Sequence, residues 1–501
     1  MLSLAETGCR LGGQYPADPG KKIIWGQSQV EPPQAAWVAP PEPPHEPPQA
    51  APESTIPVVP ERLLEASVKI TAAAHAKTRA WDRLAYMVDM YGPRLSGTKA
   101  LEKAIDWSIA TMKKDGHDNV RREAVKVPHW VRGEESMTVL SPLKRKIPML
   151  GLGGSVGTQG RALRAEVIVV KSLKDLAAQG KALKGKIVVI NQAMPAYDHD
   201  HKDAHYGATV KIRSKGAIEG AKFGAKAVLI RSVSAVSLRT PHTGAMRYDE
   251  KVKKIPAAAI PAEDAEFFAR MQARGEPVKI ELKMGAKTLP DAKSANAIGE
   301  ILGSEHPEEI VVIGGHIDSW DVGDGATDDG GGCLMAMEAL TLIRESGLKP
   351  KRTIRAVLFT NEENGLRGGK EYFAAHGHEK HVAAVEADVG SGKPQAIGIA
   401  GDASHVEALA QFLPLFAEIG LEEIVEGWGG ADISPLTRTG VLGMSIRPDF
   451  SHYFDLHHSP ADTVDKVNPE HLEANAATMA LLAFILAEQG ATKGPMKEDA
   501  H

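Results

Sequence analysis

The chain has 501 residues, more than the roughly 250–300 at which one hydrophobic core stops growing, so more than one domain is expected. Hydrophobic residues make up 43% and charged residues 25%, the balance of a soluble globular protein. Lys+Arg 59 against Asp+Glu 64 leaves a net charge of −5, which argues against a nucleic-acid partner, and the 2 cysteines exclude a disulfide framework.

Residues 1–60 are dominated by Pro, Ala, Gln and Glu. Proline at that density favours extended polyproline conformers and builds no core, so a disordered segment or stiff tether is predicted. The opening MLSLAETGCRLGGQYPADPG lacks the apolar core of a signal peptide. Spaced apolar residues (Leu64, Val68, Ile70, Ala80, Leu84, Met87) predict a helix over 63–90. Tyr91-Gly92-Pro93 breaks it, and Thr98 caps a second helix through about Lys114. Val125 to Leu140 reads as paired strands. Short β-branched runs follow at 167–170, 187–190 and 227–230, with a helical stretch around 216–224, and KIELKM precedes Pro290. Residues 136–290 therefore read as a compact β-rich module inserted into a larger domain. That domain would comprise 61–135 and 291–490, with 491–501 a flexible tail. From Ala297 the pattern alternates. Strands are predicted at 310–313, 354–359, 382–386 and 442–446, and helices at 332–345, 366–375, 405–419 and 471–489. Alternation of this kind predicts an α/β domain, a mostly parallel mixed sheet with helices on both faces. Ligands of such sheets sit beyond the carboxyl ends of the strands. No run of about 18 apolar residues occurs, so no membrane span is predicted.

The stretch GGHIDSWDVGDGATDDGGG, residues 314–332, is too glycine-rich to be a core segment. It offers His316, Asp318 and Asp328, and Glu362-Glu363, Asp388 and His458 follow near the ends of later apolar runs. Imidazole and carboxylates supplied from several strand ends suit a two-metal hydrolytic site. His316, Asp328, Glu363, Asp388 and His458 are the candidate ligands. Asp328 has two oxygens and would bridge the metals. Without cysteine ligands, a site with exchangeable water is favoured over a closed structural one. Glu362, beside a ligand, is placed to take a proton from water as general base. Asp318 is placed to orient His316 through its other nitrogen. Each residue alone reads more simply as a solvated loop side chain, so their joint placement at strand ends carries the argument. Two other clusters are set aside. YDHDHKDAHY, residues 197–206, reads as a solvated loop, and GLGGSVGTQG, residues 151–160, does not fit a nucleotide-binding GxGxxG.

GGHIDSWDVGDGATDDGGG, FTNEENGLRGG and HHSPADT resemble the signatures of the M28 metallopeptidase family. HIDSWDVGDGA together with PHTGAMRY is similar to its carboxypeptidase Q branch, and the likeness spans roughly residues 60–490. The resemblance implies a zinc exopeptidase fold with the inserted module as a protease-associated domain. It implies two Zn2+ per subunit: His316 and Asp388 on one, Glu363 and His458 on the other, Asp328 bridging, and Glu362 as general base. The family spacing to Asp462 selects His458 over His457, which is left to face substrate. A cis peptide at Asp328-Asp329 is implied too. Asp432 would help hold a substrate amine, and His242 would approach a metal site in its own subunit or in that of a homodimer partner. The implied substrates are dipeptides or short peptides. Aminopeptidase action on longer peptides, glutaminyl-cyclase-like amide chemistry and a non-catalytic binding role are the alternatives. Relatives of this branch are mainly exported, which implies a secreted or periplasmic protein.

Overall fold

Ile310, Val311, Val312 and Ile313 form an unbroken apolar run because the strand they build, His306–His316, is buried on both faces. Successive side chains of a strand point to opposite faces. Val311 and Ile313 accordingly enter one hydrophobic core, and Ile310 and Val312 enter another. The computed structural model describes residues 59–490 apart from 77 and 237. The Pro-rich segment and the C-terminal tail expected from the sequence lie outside the described residues.

Strand His306–His316 lies inside an eight-stranded sheet. Its neighbours Arg352–Phe359 and Lys380–Glu386 are parallel to it, and Leu442–Pro448 continues the parallel run. Antiparallel strands flank that centre. Lys287–Ile301 pairs with Arg352–Phe359 and with Asp118–Val131, and Pro394–Ala400 pairs with Leu442–Pro448. The sheet is therefore mixed, with parallel pairing concentrated where the sequence alternates strand and helix. Helices Gly331–Glu345 and Pro469–Gln489 cover one face and are buried along nearly their whole length. Helix Arg367–His376 covers the other face through Tyr372.

A second eight-stranded sheet is built from residues 135–284. Its centre is again parallel, through Leu163–Val170, Ile187–Ile190, Ala227–Arg231 and Ala257–Ile260. Helices Lys211–Lys222 and Ala262–Ala273 accompany it, so this region is more helical than a β-rich reading suggests. Both sheets belong to one compact unit.

Four local expectations change. The strands in 125–140 are not partners: Asp118–Val131 joins the first sheet and Glu135–Ser141 the second, turning between them at Gly133. The single helix over 63–90 is two, Glu61–His75 and Arg79–Tyr91. The second starts where the Ala80 backbone N–H donates to Glu473, a buried acceptor from the C-terminal helix that local sequence cannot reveal. The helix expected over 405–419 stops at Ala410 and resumes as a tighter turn at Leu413–Ile419, since Pro414 supplies no N–H. Strands Pro394–Ala400 and Glu423–Glu426 were not anticipated; in the first, Gly398 breaks the apolar run of the sequence, and the second is only 4 residues long.

Candidate active site

The carboxyl ends of the central parallel strands bring the acidic and imidazole groups together. His316 ends its strand, Glu362 and Glu363 follow Phe359, and Asp388 follows Glu386. His458 comes from the turn after strand Leu442–Pro448. Asp328 stands between the two histidines. Its Oδ1 is 3.3 Å from His316 Nε2, and its Oδ2 is 3.3 Å from His458 Nε2. Asp388 Oδ1 is 3.2 Å from His316 Nε2, and Glu363 Oε2 is 3.0 Å from His458 Nε2. Two donor sets thus share one carboxylate. In His316–Asp328–Asp388, and in Asp328–His457–His458, the donor atoms lie within 4.8 Å of one another. His457 stacks on His458 with ring centroids 3.4 Å apart, and its Nε2 is 3.9 Å from Asp328. His458 is therefore the nearer of the two to Asp328, and it also reaches Glu363.

Burial of this many carboxyl groups disfavours their charge unless a cation or bound protons offset it. Asp328 Oδ2 and Glu363 Oε1 are buried and accept no hydrogen bond. Burying ionised carboxylates without partners is costly, and metal coordination is one remedy. The donor set of imidazole nitrogens and carboxylate oxygens fits zinc. Burial, reinforced by Asp388, Asp318 and Asp328 and opposed by His316, pushes the Glu362 carboxyl up to about 8.

Residues 296–483 match the family model described as peptidase family M28. Carboxypeptidase Q of Bos taurus is 42% identical over 423 residues, covering 84% of this chain and 88% of the relative. Carboxypeptidase Q of Homo sapiens is 41% identical, covering 85% and 89%. The chain belongs to peptidase family M28. As a member it is a metallopeptidase. The crystal structure of a peptidase M28 precursor from Shewanella amazonensis superposes with a TM-score of 0.83 at 36% identity, covering 87% of this chain and 99% of that one. A zinc aminopeptidase from Bacillus subtilis shares the fold, with a TM-score of 0.60 at 22% identity over 84% of this chain and 98% of that one.

The M28 signatures also show what their less obvious acids do. His316 Nδ1 meets the Asp318 backbone carbonyl at 3.0 Å, whereas the Asp318 carboxylate is 3.8 Å away. That carboxylate instead accepts the Glu362 backbone N–H at 3.0 Å. Asp318 thus orients His316 through its main chain and positions Glu362 through its side chain. Asp329 accepts the backbone N–H groups of His316 and Gly332. A Cβ at Gly315 or Gly332 would overlap the Asp329 carboxylate, which explains glycine at both positions. The Asp328-Asp329 peptide is cis. Asp321 pairs with Arg132.

Several supporting residues were not anticipated. Arg94, wholly buried, donates to the carbonyls of Ile317, Asp324 and Gly325 at 2.7–2.9 Å and ties down both sides of the loop between His316 and Asp328. Asp462 accepts the backbone N–H groups of Thr327 and Asp328 at 2.8 and 3.1 Å. From helix Lys211–Lys222 and the loop after strand Ala227–Arg231, Arg213 Nη1 is 3.2 Å from His458 Nδ1, and the Thr243 N–H donates to the His458 carbonyl at 2.9 Å. His242 Nδ1 lies 2.7 Å from the His457 carbonyl, so it braces this turn. Asp432 is buried with both carboxylate oxygens unpartnered, and burial, then Glu386 and Glu362, pushes its pKa well up. Asn361 and His458 adopt left-handed backbone at φ 65 and 61, a conformation that costs roughly 1–2 kcal/mol for an L residue. In the set-aside loop, His201 and His205 pair with Asp198 and Asp203, and none of the converging donor groups among the described residues includes them.

Proposed function

We propose that this metallopeptidase is a di-zinc exopeptidase acting on dipeptides or short peptides. The observation that carries this reading is Asp328, whose two oxygens each face the Nε2 of a different histidine at 3.3 Å. His316 and Asp388 would hold one ion, and Glu363 and His458 the other, with Asp328 shared. Bound there, zinc supplies Lewis-acid polarisation of a carbonyl and lowers the pKa of water.

The chain's own residues do the rest. Glu362 takes the proton of the attacking water and returns it to the leaving amine. Asp318 holds the Glu362 backbone so that the carboxylate faces the shared site. Asp432 offers an unpartnered carboxyl group to the free amine of the substrate, and that ammonium would favour its ionised form against burial. His457, stacked on His458, lines the same space, and His242 holds its carbonyl. The second sheet is proposed to be the inserted protease-associated module. Its loops reach the His457-His458 turn, and that proximity supports a preference for short substrates. The family resemblance further suggests a homodimer, which sedimentation measures. Chelation should abolish hydrolysis of a dipeptide set, and zinc should restore it. Activity that persists after exhaustive chelation would remove the metal from the reaction.

A further inference from the structure

Beside Asp388 a cavity of about 180 Å³ opens at the carboxyl ends of the paired strands Lys380–Glu386 and Leu442–Pro448. Val389, Trp428 and Phe450 give it apolar walls, and Arg447 brings the one cationic side chain into them. The cavity adjoins the proposed zinc site through Asp388, so whatever fills it lies next to the reacting bond.

Arg447 is poorly provided for by its own chain. Among the described residues no carboxylate comes within ion-pair distance of it, and its near neighbour is the Phe450 ring, 5.5 Å from the guanidinium carbon. Its stem and guanidinium lie against two glycines. A Cβ at Gly398 would meet Arg447 Cδ at 2.8 Å, and one at Gly427 would meet Nη1 at 3.2 Å. The fold therefore leaves room for an extended arginine here. The two acids that share the cavity are engaged elsewhere. Glu386 accepts the backbone N–H groups of Ala431, Asp432 and Ile433 at 3.0–3.3 Å. Asp388 faces His316. A half-buried guanidinium with free donors and an aromatic neighbour is a receptor for a planar anion.

We propose that Arg447 is a specificity residue that holds a carboxylate of the peptide substrate in this cavity. The proposal rests on the exopeptidase reading above. The carboxylate has two possible sources with the same chemistry: an acidic side chain on the residue seated beside Asp388, or the free terminus of a dipeptide.

Three substrates separate them: Glu-Ala-amide, Gln-Ala and Gln-Ala-amide. Each is assayed on the zinc-loaded full chain, on Arg447→Met and on Arg447→Lys. Ratios of kcat/KM against Gln-Ala-amide cancel any general loss from misfolding. If Arg447 reads a side chain, Arg447→Met lowers the Glu-Ala-amide ratio about 10- to 100-fold, chiefly through KM, the range set by one charged hydrogen-bonded contact. If it reads the terminus, the Gln-Ala ratio falls instead. Arg447→Lys keeps part of whichever ratio is affected, because the charge survives without the planar fork. Both ratios staying within about twofold of wild type in Arg447→Met would overturn the proposal. Wild-type enzyme that cleaves none of the three would overturn the exopeptidase reading and this inference with it.

Discussion

At the scale of single residues, the site depends on what each carboxylate faces. Glu362 and Glu363 are adjacent, yet Glu363 contacts His458 while the Glu362 main chain is held by Asp318. The proposed division of labour predicts that Glu362→Gln lowers kcat by about 10²–10⁴ while zinc content stays at the wild-type level. Normal turnover in that variant would remove Glu362 from the reaction. His458→Ala should lower bound zinc, and His457→Ala should leave zinc in place, as read by metal analysis after gel filtration. The opposite pattern would exchange the two roles. The acids and histidines were legible because glycine-rich loops after apolar runs announce strand ends. Arg94, Arg213 and Asp462 were not legible. Each acts through backbone groups or a ring far away in sequence, and a lone arginine in a helix or loop carries no local signal of that task. Asp318 was legible as a position but not as a contact, since its main chain and side chain serve different neighbours.

At the scale of elements, the turn carrying His457 and His458 is held from a helix and a loop that accompany the second sheet. Arg213, His242 and Thr243 all reach it. Contacts that orient a metal ligand are commonly worth about 10- to 100-fold in metal affinity. Arg213 is not such a contact, because a guanidinium only donates and a histidine that holds metal through Nε2 keeps its proton on Nδ1. Arg213→Gln places an acceptor there and is expected to bind zinc at least as tightly as wild type in a competition titration; a loss of about 10-fold would show that Arg213 supports the ligand. Strands and helices were readable wherever periodicity was strong, as in His306–His316 and Pro469–Gln489. Pairing was less readable. Asp118–Val131 finds its partner in Lys287–Ile301, across the whole second sheet, and no local pattern specifies so distant a register.

At the scale of the whole molecule, two mixed sheets lie in one compact unit, and a buried and a half-buried histidine outside the site couple its stability to pH. Burial pushes His117 and His381 down to about 4. An unfolded chain would protonate them near their ordinary value, so it binds more protons between about 6.5 and 4, and stability falls as pH falls through that window. Glu473, raised by burial to about 7, acts in the opposite sense and loses its contribution as pH rises toward 7. Between pH 6.5 and pH 5, urea unfolding of His117→Asn should lose on the order of 1–2 kcal/mol less stability than wild type, a difference in which the opposing acids cancel. An identical pH dependence in that variant would show that His117 is not buried neutral. The central claim concerns the carboxylate shared between two metal positions, and zinc per chain tests it most directly. Elemental analysis of purified, dialysed protein should give two equivalents for wild type and fewer than one for Asp328→Ala, with dipeptide hydrolysis lost in parallel. A wild-type enzyme fully active with a single equivalent, or an Asp328→Ala variant that keeps two, would contradict it.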